Sequence, residues 1–203
     1  MARPKSANHD LKREAILDVA ALCFSQQGYN AASMNDIASA CGTSKARLYH
    51  YYRSKDAILF DLLDRYTQRL LLIVGESEAK AQRKGLDERA AMHELIRGFL
   101  QEYEQSATRH TALLNDTKHL GEAQRELILD RQRDVVSAFT RFLKRAYPDR
   151  LTTDKETPIT MMVFGMMNWT FTWLRTGGRL SYLAFAEEVI EMLERGLSTP
   201  QPR

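Results

Sequence analysis

An all-α chain of about nine helices is what this sequence predicts, on three observations. Long stretches are rich in Ala, Leu, Glu, Arg, Met and Gln, residues that give up little freedom on entering a helix. Apolar residues recur at the i, i+3, i+4 and i+7 positions that make one buried helical face. Five Pro and ten Gly in 203 residues are few for the turns of an all-β protein, and 44% hydrophobic content supports an ordinary globular core.

Residues 1–8 are polar and basic and are expected to form a flexible arm; without an apolar run there, no secretory leader is expected. The first helix is expected over 9–27, where Ile16, Val19, Ala20, Cys23 and Phe24 keep the helical rhythm and Gly28 ends it. Ser33 caps a short helix over 34–41, with Asp36 favourable near the positive end of its dipole. Gly42 supplies the turn, Ser44 caps a second short helix over 45–51, and Ser54 caps the next. Ile37, Ala38 and Cys41 form one small inward face, and Leu48 and Tyr52 another. Two helices this short bury too little alone, so the first helix must cover them.

A longer helix starts at 56 with Ile58, Leu59, Leu62, Leu63, Tyr66, Leu70 and Ile73, and runs well past the N-terminal group. The polar stretch 80–87, with Gly85, is the expected break. Further helices are expected over 87–105, 109–117, 122–147, 157–175 and 181–196, separated in part by Pro148 and by Gly177-Gly178. The domains are therefore drawn at 1–55 and 56–203.

The helix over 45–51 turns Lys45, Ala46, Arg47, Tyr49, His50 and, at its flank, Tyr51 outward. Those are donors and flat aromatics on a rod that fits a DNA major groove. A merely solvated charged face is the other reading of such a run. Charge separates the two: residues 1–55 hold eight Lys/Arg against four acids, the remainder twenty-one against twenty-two. All the excess positive charge lies with the helix–turn–helix, as a polyanion partner requires.

Ile37-Ala-x-x-Cys-Gly-Thr-Ser-Lys-Ala-x-Leu-Tyr-x-Tyr-Tyr-x-Ser-Lys-Asp56 resembles the DNA-binding signature of the tetracycline-repressor (TetR) family of bacterial transcription regulators. It departs at Thr43, where that family usually has Val, and at Tyr51-Tyr52, where His-Phe is usual. The resemblance implies an N-terminal three-helix DNA-binding domain and a C-terminal helical domain for ligand binding and dimerisation. It implies base contacts from Lys45, Ala46 and Arg47, and phosphate contacts from Ser33, Thr43, Ser44, Tyr49, His50 and Lys55.

Cys23 and Cys41 sit at helical apolar positions, as reduced core thiols of a cytoplasmic protein do; a redox pair is the alternative. The charge-free stretch 158–174 contains Thr160, Asn168, Thr170 and Thr172, and is short of the about 20 apolar residues of a membrane span. It reads as a helix buried on nearly every side, and no membrane partner is expected. Its Met161, Met162, Phe164, Met166, Met167, Trp169, Phe171 and Trp173 point in all directions. Either it is central in a monomer, or part of it meets a second copy, with Val189, Met192 and Leu193 of the last helix pairing there and Gly165 allowing close approach. Reading two half-sites about 34 Å apart favours a homodimer through the last two helices.

The segment 162–173, with the Gly-rich turn and amphipathic helix after it, is similar to TetR C-terminal domains that sense acyl-CoA thioesters in fatty-acid, steroid and phenylacetate breakdown. Residues 114–120 look like the phenylacetate branch. This implies an acyl group, such as that of phenylacetyl-CoA, among Phe99, Tyr103, Phe139, Phe164 and Trp169. Asn168 is then a partner for the thioester carbonyl, or else a satisfied core amide. Arg109, Lys118, Arg131 and Arg133 are the cations nearest in kind to what CoA phosphates need, or else are solvated. The competing expectation is a regulator of multidrug efflux with a promiscuous aromatic pocket.

No Gly-rich phosphate loop, His-Glu-x-x-His, Cys-x-x-Cys or Gly-x-Ser-x-Gly occurs, so no catalytic group and no cofactor are expected. His110, Asp116 and His119 do not share one helical face, so no metal is expected either. These readings combine into one expectation: a ligand-responsive transcriptional regulator, a repressor that binds palindromic operator DNA as a homodimer and is released by a small effector.

Overall fold

In a computed structural model, residues 4–198 are described, and they form ten α-helices and one 3-10 turn without a strand. Helix α1 (Pro4–Gln27) starts inside the segment expected to be an arm, because a Pro ring is preset for a helix's first turn. The rest of that arm, residues 1–3, lies outside the described residues.

Helix α2 (Met34–Ala40) opens with a capping box. The Asp36 N–H donates to Ser33 Oγ at 3.2 Å, and the Ser33 N–H donates back to the Asp36 carboxylate at 2.9 Å. It ends in the paired bonds of a Schellman motif, Thr43 N–H to Ala38 O and Gly42 N–H to Ser39 O, both at 3.0 Å. That motif needs a left-handed residue, and Gly42 supplies it with φ 61°. Helix α3 (Lys45–Tyr51) follows, its Ser44 Oγ accepting the Arg47 N–H at 3.2 Å.

Helix α4 (Lys55–Lys84) is uninterrupted; α5 (Glu88–Gln105) is capped by Asp87, which accepts the Ala90 N–H at 2.8 Å. Then come α6 (Ala107–Asp116), a 3-10 turn at Thr117–His119, and α7 (Glu122–Ala146). The single helix expected over 157–175 is two, α8 (Glu156–Asn168) and α9 (Thr170–Trp173). The Thr170 and Thr172 hydroxyls donate to the carbonyls of Met167 and Trp169 at 2.6 and 2.7 Å, local bonds that compete with the helical ladder. Helix α10 (Tyr182–Ser198) closes the described chain.

Two compact units result, and neither is a continuous segment. The first takes the described part of Met1–Tyr66 together with Thr108–Leu129; the second takes Thr67–Ala107 and the described part of Asp130–Arg203. In the first, Ile16, Leu17, Ala20 and Phe24 of α1 are buried, as are Ile37, Leu48 and Ile58 of α2, α3 and α4. The first helix thus covers the two short ones as their small faces require. In the second, α10 packs on α5 and α8 around buried Leu95, Phe99, Phe139, Met167 and Val189. The Arg97 guanidinium clamps the Glu187 carboxylate through two bonds of 2.7 and 2.9 Å, tying α5 to α10.

No helix among the described residues is long and apolar enough to cross a membrane. Nor is the charge-free stretch buried on nearly every side. Thr160, Val163, Phe164 and Met167 face inward, whereas Met161, Met162 and Trp169 are exposed, Met162 to 69%. Val189 and Leu193 are buried within the unit; the outward apolar residues of α10 are Leu183 and Met192.

Candidate nucleic-acid interface

The first unit sorts its charges. Arg13 donates to Asp61 at 2.7 Å, Arg65 to Asp61 at 3.1 Å and to Glu14 at 2.5 Å. Arg109 of α6 reaches Glu14 at 2.8 Å and Asp18 at 2.6 Å. The Tyr52 hydroxyl, one residue past α3, donates to Asp61 at 2.5 Å. Helices α1, α4 and α6 are therefore pinned together behind α3, and three acids are neutralised internally. Lys12, Lys45, Arg47 and Arg53 are exposed and make no ion pair among the described residues. No acid lies on α3, so the outward face of that helix carries only cations, aromatics and Ala46.

On α3, Leu48 is wholly buried while Lys45, Ala46, Arg47, Tyr49 and His50 are exposed. Ser44 is exposed with its O–H still able to donate, and Thr43 is half-buried in the turn. The Lys45 ammonium lies 5.9 Å from the Tyr49 ring centroid, and His50 meets Tyr51 edge-on at 5.8 Å. A short rod with a buried seam and a donor-rich outer face can enter a major groove and bond to base edges.

Two expected phosphate contacts have other partners. The Lys55 ammonium donates to the carbonyls of Tyr29 at 2.6 Å, Asn30 at 3.3 Å and Ala32 at 2.8 Å, and lies 4.3 Å from the centre of the Tyr29 ring. It holds the loop before α2. Ser33 is exposed, but its hydroxyl donates to Asp36 at 2.5 Å, so it shapes the start of α2. Arg109, grouped with the CoA cations from sequence, belongs to the ion network instead, and Arg133 pairs with Asp130. His110 is buried and bonded to the Tyr66 hydroxyl at 3.2 Å, and burial pushes its pKa down to about 3. His119 stacks on Tyr29 with centroids 4.7 Å apart.

The ion network makes a pH prediction. Burial pushes the Asp61 carboxyl up, but bonds from Tyr52 and Arg65 and the charges of Arg65 and Arg13 outweigh it and hold it below its ordinary value. Glu14 is held low in the same way by Arg109 and Arg65. A depressed acid adds stability above its unfolded value, and that stability is lost as pH falls through the folded value. Chemical-denaturation midpoints should thus fall as pH drops below about 4. Asp61→Asn should cost about 1.5–3 kcal/mol at neutral pH and flatten the acid limb. Equal acid limbs in variant and wild type would show that the network does not depress Asp61.

In the second unit, four of the expected effector residues come together. Phe139 lies 4.7 Å from Phe164 and 5.7 Å from Phe99, and Tyr103 meets Phe99 at 6.1 Å, all ring centroids. The Tyr103 hydroxyl donates to Asn168 Oδ1 at 2.9 Å, so that amide has a partner. Trp169 does not join them: it is 64% exposed and meets Phe171 edge-on, because the break between α8 and α9 falls at it. A groove of about 210 Å³ in this unit lies elsewhere, between α4 and α5, walled by the ion pairs Arg69–Glu102, Lys80–Glu94 and Arg97–Glu94.

Residues 16–62 match the family model "Bacterial regulatory proteins, tetR family", and 85–197 match "Tetracyclin repressor-like, C-terminal domain". The chain is 24% identical over 192 residues to the HTH-type transcriptional repressor KstR2 of Rhodococcus jostii (strain RHA1), covering 93% of this chain and 92% of that one. A TetR-family regulator from Bordetella parapertussis 12822 is similar at 32% identity and a TM-score of 0.84, over 94% of this chain and 98% of its own. AibR, solved with isovaleryl coenzyme A and operator DNA, has a TM-score of 0.74 over 89% and 97%; at 23% identity the likeness is one of fold. With an outward, cation-bearing second helix in its helix–turn–helix and with both family models matched along it, the chain belongs to the TetR family of DNA-binding transcriptional regulators.

Proposed function

We propose that this regulator is a homodimeric repressor whose hold on a palindromic operator is released by an acyl-CoA thioester. The observation that carries the DNA half is the exposed face of α3, with Lys45 and Arg47 unpaired among the described residues. Lys45, Ala46 and Arg47 read bases, while Thr43, Ser44, Tyr49 and His50 grip phosphates. Dimerisation is supported by an apolar stripe, Met161, Met162 and Gly165 on α8 and Trp169 at its C-terminal end, at helical spacing and exposed, beside Leu183 and Met192 on α10.

The effector half rests on the aromatic cluster and on AibR, a fold relative that binds isovaleryl coenzyme A. Phe99, Phe139 and Phe164 pack against one another, so an acyl group has to part them; its carbonyl then competes for the Tyr103–Asn168 bond. Because α4 is one helix that begins beside α3 and contributes to both units, displacing it in the second unit re-aims α3 in the first. Release follows only as far as the ligand prefers the non-binding state.

The test is titration of the protein bound to a duplex enriched from a random pool. Phenylacetyl-CoA, isovaleryl-CoA or a long-chain acyl-CoA is expected to dissociate it and to stabilise the free protein by about 2.7 kcal/mol at a hundredfold excess over Kd. Dissociation by cationic dyes and by none of the thioesters would move the protein to the efflux-regulator class.

A further inference from the structure

The larger cavity described in this chain is not in the effector unit. It is a groove of about 350 Å³ between α1 and α3, with Lys12, Ile16 and Val19 on one wall and Thr43, Arg47 and Tyr51 on the other. Its floor is the apolar seam at Leu48, where α3 packs inward. Lys12 and Arg47 flank it as exposed cations without an ion pair among the described residues. The next residue, Arg13, by contrast, is bonded to Asp61.

The acids of α1 do not cancel that charge. Glu14 and Asp18 are held by Arg65 and Arg109, and Asp10 lies 3.9 Å from His9. His9 itself stacks on Tyr51 at 5.0 Å and so joins the start of α1 to the end of α3. The result is a channel with an apolar floor, hydroxyls from Thr43 and Tyr51 along one wall, and a positive charge on each side.

We propose that this groove seats the sugar–phosphate backbone beside the bases that α3 reads, so that α1 is a second DNA-contacting helix with Lys12 as its phosphate contact. A DNA strand alternates apolar deoxyribose faces with anionic phosphates, which matches an apolar floor between cationic rims. Thr43 and Arg47 belong both to the groove and to the outward face of α3, so a strand lying along that face continues into it. The proposal rests on the DNA-binding role of α3 and extends it to a helix whose sequence carries no DNA-binding motif.

The experiment is fluorescence anisotropy of a labelled random-sequence duplex and of the enriched operator, across a salt series, with wild type, Lys12→Ala and Lys12→Arg. Lys12→Ala is expected to make the slope of log K against log salt shallower by about 0.9 per protomer, and to weaken both duplexes by a similar factor. Lys12→Arg is expected to keep the wild-type slope, and thermal melting should be the same for all three, since Lys12 is exposed. An unchanged slope in Lys12→Ala, with affinity within about twofold of wild type, overturns the proposal while leaving α3 as the reader. A wild type that binds neither duplex would instead fail the reading of α3 on which this one stands.

Discussion

Arg47→Ala is expected to abolish operator discrimination while leaving the fold intact. Its guanidinium is exposed on α3 with no ion pair among the described residues, so nothing in the protein loses a partner when it goes. On DNA, a bidentate Arg–guanine pair is worth about 1–3 kcal/mol of discrimination. A symmetric dimer makes the contact twice, so the loss at a full operator is about 2–6 kcal/mol, from tens to tens of thousands of fold in Kd. Random-sequence duplex should lose much less, because phosphate contacts carry no sequence information. Anisotropy on both duplexes reads this directly. Equal losses on the two would reassign Arg47 from base to phosphate, and no loss on either would remove α3 from the interface.

The second large effect is expected at α8 and α10. Met162 and Met192 are 69% and 62% exposed, and neither side chain supports the unit that carries it. Replacing both by Glu places a charge on each helix of the proposed four-helix interface, where desolvating an unpaired carboxylate is unfavourable by several kcal/mol. Sedimentation should show a monomer, with melting of the unit little changed. Operator affinity should fall by about 10²–10⁴-fold, because two linked recognition helices become two independent ones. A double variant that sediments as a dimer and binds operator as wild type would place the dimer elsewhere.

These two predictions differ in where they could be read. The helix–turn–helix was legible because its information is local: a cap at Ser33, a cap at Ser44, a turn residue at Gly42 and one inward side chain per turn. Each of those is a relation between residues a few positions apart, and capping and left-handed backbone geometry act at that range. For the same reason the order of helices and most of their ends followed from apolar periodicity and Pro or Gly punctuation. The split at Trp169 did not, since hydroxyl-to-carbonyl bonds from Thr170 and Thr172 leave no mark on an apolar pattern.

Charge pairing was not legible at all. Arg109 and Lys55 looked like free cations, yet one is held by Glu14 and Asp18, more than ninety positions away, and the other by carbonyls of the loop before α2. Lys12 is only one of eight basic residues in the sequence of the N-terminal part, and only the packing of α1 against α3 puts it across a groove from Arg47. By itself the sequence determined an all-helical chain with a helix–turn–helix near its N-terminal end and the face that helix turns outward. Tertiary structure alone decided which cations stay unpaired, which apolar residues of α8 remain uncovered, and that α6 folds with the first unit. A cap or a turn is chosen by its neighbours, whereas an ion pair or a covered face is chosen by whichever distant segment packing brings beside it.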